Sequence, residues 1–163
     1  MDELKKPLYV MVSFEWSSHP GLASALAESP YLPTALIDWT RFSESPFQIG
    51  EIPPGVAQYL QASTCTVMLT SDTFQKQQNH HPEISPEFYA LVPVIFREGE
   101  AFEQDSPAKA QFIWQAGPFG FEATVKRTSK GEIFLVSFFR AKRSRIEKTR
   151  RKFRRVNESE GTC

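Results

Sequence analysis

The stretch KQQNHHPEISPEF, residues 76–88, gathers side chains suited to proton transfer and anion binding. Histidine titrates near neutral pH, with a reference pKa of about 6.5, so His81 suits a general acid or base. Lys76 offers a cation on the same short segment. The bland alternatives are a capping histidine before a helix-breaking proline and a solvated lysine among glutamines and asparagines. His80 and His81 cannot both reach one metal easily from adjacent positions, and no H-x-x-x-H or C-x-x-C pattern adds ligands, so neither a metal nor a cofactor is expected. Cys65 alternates with Val67 and Leu69, which reads as a buried, inert thiol rather than a nucleophile. Nucleotide-binding glycine loops and a G-x-S-x-G elbow are absent.

A second constellation is basic. The formal net charge of zero hides a division: residues 1–122 carry 6 Lys+Arg against 15 Asp+Glu, and residues 123–163 carry 13 against 4. Ten of these cations lie between Arg140 and Val156, with Glu147 as the one acid among them. Such density exceeds what intrahelical pairing can neutralise, which implies either a phosphate-bearing partner or docking on an acidic body of this or another chain.

The elements that must position these groups follow from pattern. LYVMVSF, Leu8 to Phe14, reads as a strand and SHPGLASALAES, residues 18–29, as a short helix. From Tyr31 to Pro54 no period is clear, which implies a long wrapped segment with one short element near Leu36. PPGVAQYLQ opens a helix on its prolines, and Cys65 to Thr70 reads as a strand. Ser71 is the expected N-cap of the helix SDTFQKQQNH, which must stop at His80 because Pro82 disfavours helical geometry at His81. Ser85 and Pro86 start a helix over EFYALVPVI.

AQFIWQ, FEATVKR and EIFLVSFFR then read as strands, the last two joined through TSKG with Gly131 in the left-handed position. Simple alternation places Ile133, Leu135, Ser137 and Phe139 on one face of the final strand and Phe134, Val136, Phe138 and Arg140 on the other. AKRSRIEKTRRKFRRV is helical by propensity, with a thin apolar stripe of Ile146, Phe153 and Val156.

The run from Leu69 to Phe96, followed by FEATVKRTSKGEIFLVSFFR, resembles the phage-associated branch of the barnase, EndoU, colicin and RelE-like nuclease superfamily. The likeness covers roughly residues 52–156. It consists of a strand, a helix carrying Lys and then His-Pro, a second helix ending near Leu-Pro, and a hairpin finishing in Ser-Phe-x-Arg. Leu-Thr-Ser at 69–71 departs slightly from the Leu-Ser of that pattern. The resemblance implies metal-independent RNA cleavage and points to Lys76, His81, Thr128, Ser137 and Arg140.

That chemistry uses the ribose 2′-OH as nucleophile and leaves a 2′,3′-cyclic phosphate, so it needs proton transfer and cations for the growing charge. His81 fills the first role, and Lys76 and Arg140 the second. Thr128 and Ser137 would donate neutral hydrogen bonds, while Arg143, Arg150, Arg151 and Arg154 would hold the RNA backbone. A non-catalytic nucleic-acid-binding or protein-docking module is the alternative.

Composition completes the expectation. At 163 residues with 40% hydrophobic side chains, the chain suits one globular domain. The reading is α+β: short N-terminal helices packed on a C-terminal antiparallel sheet, followed by the basic helix. Residues 1–156 form the domain, 1–51 as an extension and 52–156 as the nuclease-like module, and 157–163 form a flexible tail. With no apolar run long enough for a membrane, no secretory signal and only two cysteines, a cytoplasmic, reducing setting is expected. RNA is the expected partner, with an immunity or antitoxin protein or a phage structural protein as further possibilities implied by the resemblance.

Overall fold

The computed structural model describes residues 46–84, 86–158 and Cys163. The elements expected at Leu8–Phe14, at 18–29 and around Leu36 lie outside them. Strand β1 (Phe47–Glu51) opens the described fold. Helix α1 (Pro54–Leu60) starts on Pro54, whose missing N–H is no loss in the first turn, and ends where Gln61 adopts the left-handed conformation at φ 57°. It buries Val56, Ala57 and Leu60.

Strand β2 (Thr66–Leu69) returns antiparallel to β1. Helix α2 (Ser71–His80) follows at once. Its N-cap is Thr70 rather than Ser71: Thr70 keeps extended geometry and its Oγ1 accepts from the Thr73 N–H at 3.2 Å. The helix stops at His80, as Pro82 requires.

The helix expected over EFYALVPVI divides into a 3₁₀ segment, Pro86–Leu91, and helix α3 (Val92–Glu98). Pro93 explains the break: its ring excludes a continuous α ladder through the preceding turn, yet is tolerated at the start of α3. Val92 through Phe96 are all buried.

Strands β3 (Glu100–Glu103), β4 (Lys109–Ala116), β5 (Phe119–Arg127) and β6 (Ile133–Arg140) precede helix α4 (Arg143–Lys152). The six strands form one sheet in the order β1-β2-β6-β5-β4-β3. The expected C-terminal antiparallel sheet is therefore larger and mixed, because β2 pairs parallel with β6 through Val67↔Ile133 and Met68↔Phe134. Strand β1 falls within the segment read as an N-terminal extension. The β5–β6 turn forms as expected, with Gly131 at φ 88° and its N–H donating to Thr128 O at 3.0 Å.

One face of the sheet, here the inner face, packs on α1, the 3₁₀ segment, α3 and Phe74 of α2. Tyr89, Phe96, Phe112, Phe121 and Phe138 are fully buried there. Edge-to-face contacts join Phe74 to Tyr89 and Tyr89 to Phe138, with centroids 5.1 and 5.0 Å apart. Burial raises the Tyr89 pKa well beyond the ordinary phenol value.

Among the described residues the outer face is covered over only part of its width. Helix α4 lies there, its Ile146 packed on Phe102, Ile113 and Ala141. Gly120 permits the approach, because a Cβ would stand 2.5 Å from Ile146 Cδ1 and 2.7 Å from Ala141 O.

Helix α4 ends at Lys152, short of the expected Val156. Residues 154–156 instead run beside β3: Glu103 N–H donates to Arg154 O and Val156 N–H to Ala101 O, each at 2.8 Å. This pairing shields the sheet edge. The expected flexible tail is docked at its first residues, since Val156 is buried, Gly55 N–H donates to Glu158 O, and Ala101 N–H donates to Glu158 Oε1. Cys65 is not a free thiol; it forms a disulfide with Cys163, their Cα atoms 5.7 Å apart. Among the described residues no helix is long and apolar enough to cross a membrane.

Candidate active site

The β5–β6 register decides which side chains meet. Thr124 pairs with Ser137 and Val125 with Leu135, leaving Val136 as an extra residue in β6. This bulge inverts the expected alternation beyond it. Ile133, Leu135 and Phe138 are all buried on the inner face, while Ser137 and Phe139 turn outward. Ser137 faces outward beside Thr124, forming a cross-strand pair of hydroxyls.

Strand β2 pairs β6 only as far as Phe134, which would leave the backbone beyond it without a neighbour. Gln77 fills the gap with its side-chain amide. Its Nε2 donates to Val136 O at 3.2 Å, and the Phe138 N–H donates to its Oε1 at 3.3 Å. Helix α2 thus docks beside β6 where a strand would otherwise lie, with Phe74 buried in the inner core and the helix C-terminus at the outer face.

His81 is the C-cap of α2, its N–H donating to Gln77 O at 2.7 Å. Its imidazole lies nearly parallel to the Phe139 ring, with centroids 4.8 Å apart and 15° between planes. Glu83 stands close, 3.4 Å from Oε2 to His81 Nδ1. The turn below is fixed by Ile84 N–H donating to His81 O and by Gln78 Nε2 donating to Ile84 O. The His81 side chain remains 33% exposed, so it is oriented and still open to a ligand.

Phe139 also carries the Arg145 guanidinium, whose Cζ is 5.0 Å from the ring centroid. Arg145 Nε donates to Glu122 Oε2 at 2.7 Å and Nη2 to Oε1 at 3.1 Å, a bidentate pair. Hydrogen bonding to Glu122, ahead of the opposing effect of burial, raises the Arg145 pKa. Glu122 sits opposite Phe139 in the ladder and its side chain is 2% exposed. Gln111 Nε2 donates to Glu122 Oε1, and Gln104 Nε2 to Gln111 Oε1. A buried carboxylate is thereby fully engaged, and the guanidinium is held with Nη1 directed to no partner among the described residues.

The other sequence-predicted residues divide. Lys76 is exposed on α2, about 7.5 Å in helical rise before His81. Arg140 stands on the inner-face side of the sheet end, its Cζ 4.6 Å from the Phe119 ring, and so is separated from His81, Ser137 and Phe139 by the sheet. Thr128 belongs to the β5–β6 turn, where its Oγ1 accepts from Glu132 N–H and its N–H donates to Glu132 O. Strand rise puts it roughly 20 Å from the Phe139 end of β6.

Arg143 pairs with Glu147 at 3.4 Å on exposed α4. Arg150 and Arg155 both meet Glu100, so the basic helix is partly neutralised by the acidic body of its own chain. Arg151 and Arg154 are exposed.

Gln77, Phe139, Glu122, Arg145 and Gln111 were not singled out from sequence. Glu122 carried a usable signal: it is the one acid in β5, and the three residues on either side of it are uncharged. Arg145 was masked by its many basic neighbours, and Gln77 by the glutamines around it. No family model, curated protein or solved structure was found to match the chain.

Proposed function

We propose that this domain is a metal-independent endoribonuclease whose site is the outer-face cluster around Phe139. One observation carries this reading: a half-buried imidazole and a pre-positioned guanidinium flank one aromatic ring beside an open hydroxyl-bearing surface. His81 transfers the proton in attack by the ribose 2′-OH. Arg145, locked by Glu122, presents Nη1 to a phosphate oxygen and takes the role that the family resemblance gives to Arg140. Ser137 offers a neutral hydrogen bond, and Lys76 supplies further positive potential from α2. As the 2′-oxygen bonds to phosphorus the P–O5′ bond breaks, and the products are a 2′,3′-cyclic phosphate and a 5′-hydroxyl that takes up a proton. A toxin or phage accessory role is the setting that the family resemblance suggests.

A second reading has its own support in the exposed cations Lys148, Arg151, Lys152 and Arg154. On that reading α4 binds nucleic acid without chemistry. Incubating wild-type and His81→Ala protein with total cellular RNA in EDTA separates the two. The ribonuclease reading expects new ends carrying 2′,3′-cyclic phosphate that disappear in the variant. Intact RNA with the wild-type protein overturns it and leaves the binding module.

A further inference from the structure

The outer face continues beyond Phe139 as an ordered row of side chains toward the β5–β6 turn. Lys109 on β4 is the direct cross-strand partner of Lys126 on β5, and Lys126 is the partner of Phe134 on β6. All three point outward, because the alternate residues Ala110, Val125, Ile133 and Leu135 are buried on the inner face. Like charges placed directly opposite in a ladder disfavour the pairing. Neither lysine has an ion pair among the described residues, and Lys126 is exposed while Phe134 is half-buried.

Between this row and the candidate site lies the hydroxyl pair Thr124 and Ser137. The sequence of groups along β5 and β6 is thus cationic and aromatic, then hydroxylic, then imidazole with guanidinium. From Lys126 to Glu122 the strand rise is roughly 13 Å, the scale of a short extended nucleotide segment. Two uncompensated lysines next to a partly open aromatic ring match the requirements of a single strand: cations for its phosphates and a platform for a base.

We infer that single-stranded RNA lies along β5 and β6, with Lys109 and Lys126 holding a phosphate flanking the scissile one and Phe134 stacking a base. The row lies on β4, β5 and β6, whereas helix α4 rests on Phe102, Ile113 and Ala141. This assignment rests on the ribonuclease reading only for the position of cleavage; strand binding stands separately.

The test uses wild-type protein and a short fluorescent single-stranded 2′-O-methyl RNA, which lacks the attacking hydroxyl and so cannot be cleaved by transesterification. Binding is followed by anisotropy across salt concentrations. Lys109→Glu with Lys126→Glu is expected to weaken binding at least about tenfold and to flatten the salt slope by about 0.7 for each phosphate no longer neutralised. Phe134→Leu keeps an apolar side chain for folding but removes the aromatic platform, with an expected loss of about fivefold or more. Arg151→Glu, on α4 rather than in the row, should weaken binding by less than the row variants do.

Unchanged binding in the Lys109, Lys126 and Phe134 variants overturns the assignment. So does a loss confined to the α4 variant, or wild-type protein that binds an acidic peptide but no RNA. If the row variants lose binding while wild-type protein leaves natural RNA uncut, the binding surface stands and the ribonuclease reading falls.

Discussion

Phe138 and Phe139 are neighbours in sequence and opposites in circumstance. Phe138 is fully buried on the inner face, edge-on to Tyr89 and stacked at 6.0 Å on Phe121. Phe139 keeps partial exposure on the outer face, in contact with an imidazole and a guanidinium. The inner face is closed by helices and supplies stability. Among the described residues the outer face is closed only where α4 lies, and the polar groups collect on the remainder. A ring of the same chemistry therefore fills a core at one position and orients charged groups at the next.

Truncating the two rings is the strongest way to break that comparison. Phe138→Ala is expected to destabilise by about 3–5 kcal/mol, since it removes a large side chain from a fully packed site. Phe139→Ala should lose about 1–2 kcal/mol, because its ring is partly solvated already and chiefly forfeits its stacking and cation contacts. Urea denaturation midpoints measure both. On the proposed ribonuclease reading, RNA cleavage by folded Phe139→Ala protein should fall sharply, as His81 and Arg145 lose the surface that aligns them. Equal destabilisation by the two changes would erase the distinction between the faces.

Much of the scaffold was legible because local chemistry dictates it. Pro54 opened α1, Pro82 closed α2, and Gly131 made the β5–β6 turn, each through a constraint carried by one residue. The α+β class was legible as well, but the mixed sheet was not. The parallel β2–β6 pairing joins residues more than sixty positions apart, and no local pattern encodes that partner choice.

The site was less legible, for a physical reason. His81 was identifiable from its type and position, yet its neighbours depend on a single extra residue, Val136. That bulge reverses alternation for Ser137 and Phe139 relative to Ile133 and Leu135. Arg140 looked suitable by type, and Arg145 did not stand out among basic neighbours. Only the fold distinguishes the arginine that faces the open surface from the one that lies behind it.

The same contrast applies to ion pairs. Glu122 has a 2% exposed side chain and engages Arg145 from within the sheet, whereas Glu100 is 30% exposed and engages Arg150 near the rim. Arg145→Ala leaves a buried carboxylate with Gln111 alone, and is expected to cost about 2–3 kcal/mol after allowing for water that enters where the partly exposed arginine stood. Arg150→Ala should cost about 0–1 kcal/mol, since solvent screens that pair and Arg155 remains beside Glu100. Adding Glu122→Gln to Arg145→Ala should restore part of the loss, because a neutral amide replaces the stranded charge. Comparable losses from the two arginine variants in chemical denaturation would show that Glu122 is better solvated than its burial implies.

The smallest effect concerns the carboxylate that fastens the end of the described chain. Burial, the leading cause, together with repulsion from Glu100, raises the Glu158 pKa, while Arg155 and the Ala101 N–H pull it down. The folded state consequently favours the protonated form more than the unfolded state does. Its contribution to stability is fully present below the ordinary glutamate pKa of about 4.3 and is lost as pH rises through the raised folded value. Water still reaches the side chain, so the change should stay below about 1 kcal/mol. Glu158→Gln keeps an oxygen to accept from Ala101 and removes the titration. The stability of wild type relative to this variant should therefore decline as pH rises from about 4 to about 6, which paired thermal melts across that range can measure. A difference that instead grows with pH would mean that attraction to Arg155 outweighs burial at this residue.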